Sequence, residues 1–520
     1  METPDSDSGW LDARLRPDRL FRLLLLAHLA VFTLLPWGLY ANLPLDCIEM
    51  HSWGQQWAWG YHKHPPLPAW IARGVAILTD HSAGALYLAA SACIAASFWA
   101  AWRLGRAMMS ASAALIGVAL LEGSYYFNFE AMNLNNNTVL YPFWALSVLA
   151  FYHAVREGTV KYWLALGACV GLGLLTKYTM AILPVVMLGF LLLNRRARAA
   201  WNSPGPYVAA SVGMLIFLPH LVWAVEYDFP TLQYAMQRAA TSPSPLGRLR
   251  FPLEFVAAQY LALLPMTLVA IPITGIRWRL RQVAPAERFD RAFLASMVFG
   301  PFVTILLISA LLNVRLHCMW GSHLWTFSGV LLVFALKLDF RSGQQRRVLI
   351  GCAMAALLYV GATIGRIELG AVMGYVHREY FPGEKLAERI EEVWHDHRDG
   401  PLPIVAGEGW LVGNIGFYAP SHPKVYGIHK WVVPPTDRHL RHWIDDEDLA
   451  WHGGLFVWDA ARQPTMPNQM RRRIPSIEPA GALTVSRRSH PRLPPLRIGV
   501  AYIPPRMRLA RQEAGAVSAE

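Results

Sequence analysis

RLLLLAHLAVFTLLPWGLYA, residues 22–41, is a nearly unbroken apolar run, and it decides the solvent in which this chain folds. A helix of about twenty residues rises about 30 Å, the thickness of a bilayer's hydrocarbon core. A few residues later comes LDCIEMHSWGQQWAWGYHKHPPLPAW, residues 45–70. It sets Asp46, Glu49, His51, His62, Lys63 and His64 among Trp53, Trp57, Trp59, Tyr61 and Trp70. Charge, imidazole and aromatic rings gathered where a chain leaves the bilayer can build a site as well as a loop.

Moving outward, apolar runs recur. Only 16% of the 520 residues are charged, against about 25% in soluble domains, so much of the surface faces lipid. The pattern predicts about eleven spans, near 22–41, 82–102, 108–122, 138–155, 161–176, 178–193, 206–225, 255–276, 292–312, 322–338 and 347–366. Some are short enough to be re-entrant.

The net charge of +12 is a topology signal rather than a nucleic-acid footprint. Basic residues gather at alternate connections: Arg14 to Arg22, Arg103 and Arg106, Arg156 and Lys161, Arg195 to Arg198, Arg277 to Arg281, and Lys337 to Arg347. Residues 123–137 have no Lys or Arg, while Arg238, Arg248 and Arg250 break the pattern. The positive-inside rule then puts residues 1–21 in the cytoplasm and, with an odd number of spans, the C-terminal region outside.

That region, 376–505, is richer in charge and proline and has no spanning run. GEKLAERIEEVWHDH has a helical stripe of Leu386, Ile390 and Val393; LPIVAGEGW and HPKVYGI read as strands around a helical LVGNIGFYA. The fold class is therefore an α-helical polytopic membrane protein, spans within 22–375, with a small C-terminal extracytoplasmic α/β domain. Residues 506–520 read as a disordered tail.

In the first loop, 42–81, spacing offers a capping box: Asp46 as N-cap, Glu49 reciprocating, and a helix to about Trp59 with Met50, Trp53 and Trp57 at the interface. The same carboxylate, at the membrane boundary, can deprotonate an acceptor hydroxyl, with Lys63 and His64 supplying positive charge. Further candidates are Lys177 in TKYT and Arg315 and His317 in NVRLHCMWGSH, each readable as a phosphate ligand or a lipid-headgroup contact. Asn133, Asn135, Asn136 and Asn137, near Glu130, can bind sugar hydroxyls or cap the next helix. Cys47 and Cys318 fall on the outer side and leave a disulfide open. No CxxC or HExxH pattern appears, so no cofactor follows and a divalent metal stays open.

DCIE, WGYHKHPPLPAW, FNFEAMNLNNNTVLYPFWAL and GLLTKYTMAILP, followed by EYDFPTLQYAMQRA, RLHCMWGSHLW and GEGWLVGNIGFYAPSHPKVY, in this order, resemble the bacterial family 39 glycosyltransferases. These belong to the GT-C superfamily of protein mannosyltransferases and the lipid A aminoarabinose transferase. The resemblance implies an enzyme of the bacterial inner membrane moving a sugar from a polyprenyl-phosphate donor to an extracytoplasmic glycan, lipid or protein. It implies Asp46 as catalytic base, with Glu49 nearby, and a basic residue of KHPP near the donor phosphate; by position and charge the phosphate candidates are Lys63, His64, Lys177, Arg315 and His317. Asn135, Asn136 and Tyr178 fall to the sugar or acceptor. Many relatives carry two adjacent acids where this chain has Asp46 and Cys47, which leaves a metal site in doubt. A flippase of lipid-linked sugars and a non-catalytic scaffold are the competing classes.

Overall fold

The computed structural model describes residues 16–238, 245–274, 284, 287–335, 342–429, 446–487 and 493–506. The tail expected to be disordered and several basic residues of the charge pattern, among them Arg277, Arg279, Arg281, Lys337 and Arg341, lie outside the described residues.

All eleven predicted apolar segments are helical, but they are not equal spans. Among the described residues seven helices are long and apolar enough to cross a membrane: 17–39, 83–108, 136–157, 205–226, 247–270, 288–312 and 344–372. Cys318–Trp325 and Ser328–Ala335 make an eighth if their pair, bent by 52°, is one broken span. Ala111–Gly123, Val160–Leu174 and Tyr178–Leu193 are shorter, as is Leu67–Leu78, a helix the sequence pattern did not pick out. Leu26, Leu193, Leu215, Leu261 and Leu357 are exposed, as lipid-facing side chains should be.

Between helices the packing uses small residues. In Val160–Leu174 the sequence GACVG puts Gly167 and Gly171 one turn apart against Gly205–Glu226. A Cβ on Gly167 would lie 2.5 Å from the Ala209 carbonyl oxygen. Backbones that approach this closely gain dispersion contacts where lipid offers no hydrophobic drive. The pair fixes where the chain re-emerges at Thr176 and Lys177.

Among the described residues the C-terminal region contains the two expected helices and two expected strands, with three further strands and two short helices. Gly383–His397 and Gly409–Tyr418 are helices; β1 (Ile404–Glu408), β2 (Lys424–His429), β3 (Gly454–Asp459), β4 (Glu478–Val485) and β5 (Leu496–Ile503) form a sheet in the order β2-β1-β3-β5-β4. The first three strands are mutually parallel, and β3, β5 and β4 are antiparallel neighbours, an arrangement that local patterns could not specify. Leu386 and Ile390 bury their stripe against this sheet together with Leu411, Val412 and Ile415.

Helix Gly409–Tyr418 also seats the sheet on the first loop. The Tyr418 hydroxyl accepts from Leu43 N at 2.9 Å, and the Gln55 amide both donates to Pro423 O at 3.2 Å and accepts from Val425 N at 3.1 Å. Phe417 joins Leu43, Cys47, Ile48 and Trp53 in one buried cluster.

Candidate active site in the first loop

The loop does not form the expected capping box. Its helix is Leu45–Gly54, with Pro44 as N-cap and Asp46 already inside the first turn, so Asp46 caps nothing. The helix ends at Gly54, short of Trp59, because Trp57 takes left-handed backbone, φ 50°. Nor does it lie on the membrane as an amphipathic helix: Cys47 to Gly54 are all buried. Asp46 remains where an anion is favoured, near the positive end of the helix dipole.

The half-buried Asp46 carboxylate meets the Asn133–Asn137 segment. Oδ2 accepts from the side-chain amides of Asn133 at 3.2 Å and Asn135 at 3.1 Å. Asn135 uses its other end as the N-cap of Asn136–Glu157, its Oδ1 accepting from Asn137 N at 2.8 Å and Thr138 N at 3.0 Å. One side chain therefore starts a long apolar helix and holds the carboxylate. Cys47, next along, bonds Leu134 N through its sulfur at 3.2 Å and stays a thiol. No disulfide to Cys318 forms, since Cys318 lies against Tyr126 and Gln259.

Glu49, one turn on along the same helix, pairs with Lys63. Lys63 is carried by HKHPP, a segment clamped by its neighbours. Trp59 O accepts from His220 Nδ1 at 2.7 Å, and Tyr61 O from Thr231 Oγ1 at 2.8 Å. Gly60 presses on the Trp223 ring, where a Cβ would clash at 2.2 Å. Tyr178 bonds His220 Nε2 at 2.7 Å, so it braces this clamp. Leu67 N donates to Leu175 O at 3.0 Å, which brings TKYT beside the loop.

Lys177, buried and in extended backbone, bonds the Asn137 side-chain oxygen. Burial pulls its ammonium down to about 7 against the opposing pull of Glu130. Glu130 is buried with one carboxylate oxygen lacking a partner, and burial, then Asp46, pushes it up to about 8. Burial also raises Glu49, to about 7, although Lys63 opposes it. His64 was expected to add positive charge. Burial and the cations Lys177, Lys63 and Arg238 hold its imidazole neutral down to about 3, so it can serve only as a neutral hydrogen-bonding group.

Arg238 is the residue that motif reading missed. It ends helix Pro230–Arg238 and lies within electrostatic reach of Glu49, His64, Lys177 and His317. Its signal was present as an exception to the positive-inside pattern. His317 is exposed and packs on Trp320, with burial, then Arg238, Arg315 and Lys177, pulling its pKa down. Arg315 is exposed and 3.4 Å from Glu254. Asn136 is buried at the first turn of its helix, beside the anchoring asparagines. Lys63, Lys177 and Arg238 thus gather around the turn that carries Asp46 and Glu49, while Arg315 pairs with Glu254. That arrangement can take a proton at Asp46 and hold an anion a short distance away.

The dolichyl-phosphate-mannose-protein mannosyltransferase family model matches residues 63–223. The chain is 26% identical over 336 residues to the lipid A galacturonosyltransferase RgtD of Rhizobium johnstonii, covering 62% of this chain and 66% of that protein, just under two thirds. It is 26% identical over 427 residues to the lipopolysaccharide core galacturonosyltransferase RgtA of the same organism, covering 78% and 81%. Its fold resembles ArnT from Cupriavidus metallidurans bound to undecaprenyl phosphate, at a TM-score of 0.62 and 14% identity, over 94% of this chain and 98% of that one.

Proposed function

We propose that this chain, a GT-C glycosyltransferase related to the protein mannosyltransferases and ArnT, moves a uronic acid from a polyprenyl phosphate to lipid A or the lipopolysaccharide core. The observation that carries the reading is the anchored Asp46 carboxylate beside a group of cations. Asp46 accepts the proton of the acceptor hydroxyl as its oxygen attacks the anomeric carbon. The bond from that carbon to the phosphate oxygen breaks, and the lipid phosphate leaves onto Lys63, Lys177 and Arg238, where negative charge grows. A phosphate leaves without a general acid, so one carboxylate suffices, and a single displacement inverts the anomeric centre. Glu49 positions Lys63, and Arg315 and His317 line the phosphate's approach. Asn136 and the asparagines around it face the acceptor.

The cation excess suits a sugar that brings a carboxylate of its own, as a galacturonosyl donor does. In this reading residues 22–375 are the catalytic membrane domain, with residues 1–21 cytoplasmic and 376–505 a soluble domain on the acceptor side. The membrane is the bacterial inner membrane. The test uses protein in vesicles with radiolabelled polyprenyl-phosphate-galacturonic acid and lipid A. Label should appear on lipid A through a linkage inverted relative to the donor. Label crossing the bilayer without a new glycosidic bond would make the chain a flippase.

A further inference from the structure

Away from Asp46, on the far side of the first loop, imidazoles converge from two parts of the chain. His51 lies on helix Leu45–Gly54, His81 in the turn between Leu67–Leu78 and Ala83–Met108, and His422 in the turn between Gly409–Tyr418 and β2. The His81 and His422 rings stack with centroids 3.4 Å apart, and His51 meets His81 edge-on at 5.1 Å. Asp80 adds an exposed carboxylate, and its oxygen and one ring nitrogen each from His81 and His422 all lie within 4.8 Å of one another. It is the only such group of three metal-ligating side chains among the described residues.

The group carries unfinished bonding. His81 Nδ1 and the wholly buried His51 Nδ1 have no hydrogen-bond partner. His422 Nδ1 donates to Phe417 O at 3.1 Å, which leaves Nε2 with a free lone pair, the second-shell arrangement that prepares an imidazole for a metal. Arg73 lies 2.9 Å from His51 Nε2 and 3.0 Å from His81 Nε2. A guanidinium only donates, so Nε2 of each ring is its acceptor and Nδ1 carries the proton; a metal takes His81 by displacing Arg73 from Nε2. Asp80, His81 and His422 also share left-handed backbone, φ 50°, 55° and 44°, which side-chain-bearing residues adopt at a cost. Three ligating residues in one contact, all in costly conformations, are held there by the surrounding structure.

We propose that Asp80, His81 and His422 bind one divalent cation that clamps the C-terminal sheet domain onto the loop bearing Asp46 and Lys63. Two imidazoles and a carboxylate match zinc best, with water on the exposed side of Asp80 as fourth ligand. Zinc bonds of about 2.0–2.1 Å lie in each ring's plane and bring ligand atoms roughly 3.4 Å apart, so binding turns the stacked His81 and His422 rings out of parallel as the ligand atoms close in. His422 sits next to Pro423, whose carbonyl already accepts from Gln55, so the metal reinforces a seam the hydrogen bonds began. The proposal stands apart from the transferase reading.

The test is metal content. Full-length protein in detergent is stripped with chelator and dialysed against micromolar zinc sulfate, and zinc per chain is measured by mass spectrometry. Wild type should hold one zinc, and zinc should raise its unfolding temperature. H422A and the surface substitution D80N should bind zinc at least roughly tenfold more weakly and show no thermal shift. D80N covers the case in which H422A fails to fold. Wild type without zinc, or D80N binding like wild type, overturns the proposal.

Discussion

Lys177 is a cation under tension. Burial lowers it to about 7, and Glu130, Asp46, Arg238 and His64 surround it, so a modest rise in pH discharges it. A lowered lysine is charged below its pKa and neutral above, so support for the leaving phosphate is present on the acid side and lost as pH rises through about 7. The kcat/KM profile should therefore fall on its alkaline limb, by up to roughly tenfold per pH unit. Lys177→Arg keeps its charge throughout and should move that limb up by more than one unit, whatever it does to the maximum. An unmoved limb would take Lys177 out of the phosphate site. The sequence placed Lys177, Lys63 and Asp46 in reach of one another only through motif order. It could not see that Glu49 answers Lys63, because that pair closes across a fourteen-residue loop rather than a helical turn.

At the scale of elements, the start of helix Asn136–Glu157 does two jobs through one side chain. Asn135 caps the helix with its oxygen and holds Asp46 with its amide. Asn135→Ala should cost about 1 kcal/mol of stability, read as a lower unfolding temperature, along with activity. Asn135→Ser restores an oxygen cap and should recover the stability while transfer stays depressed, since no amide reaches Asp46. Equal recovery of both would reduce Asn135 to a cap. The sequence reading set capping against sugar binding for these asparagines; Asn135 caps the helix and bonds Asp46. The capping box failed for a related reason. Pro44 is the N-cap two residues before Asp46, and a shift of two positions moves a cap into the first turn. Apart from Leu67–Leu78, helix existence was legible from hydropathy, but starts and ends were set by features such as the Pro44 N-cap and the left-handed Trp57.

The whole molecule seats a small sheet domain on a bundle of apolar helices, with the first loop between them. Hydropathy exposed the bundle and the change of composition exposed the sheet. Neither could reveal how the two meet, because Tyr418 and Gln55 bond partners hundreds of residues away. The same distance hid Arg238 among ordinary loop cations. What the seam and the bundle jointly produce is one carboxylate held by Asn133 and Asn135 within electrostatic reach of Lys177, and the account stands on that carboxylate. Asp46→Asn keeps the size and hydrogen-bonding capacity of the side chain while removing the base. With a labelled polyprenyl-phosphate sugar and lipid A in vesicles, its kcat should fall about 10²–10⁴-fold while donor binding persists. An Asp46→Asn protein that transfers sugar at the wild-type rate would contradict the mechanism.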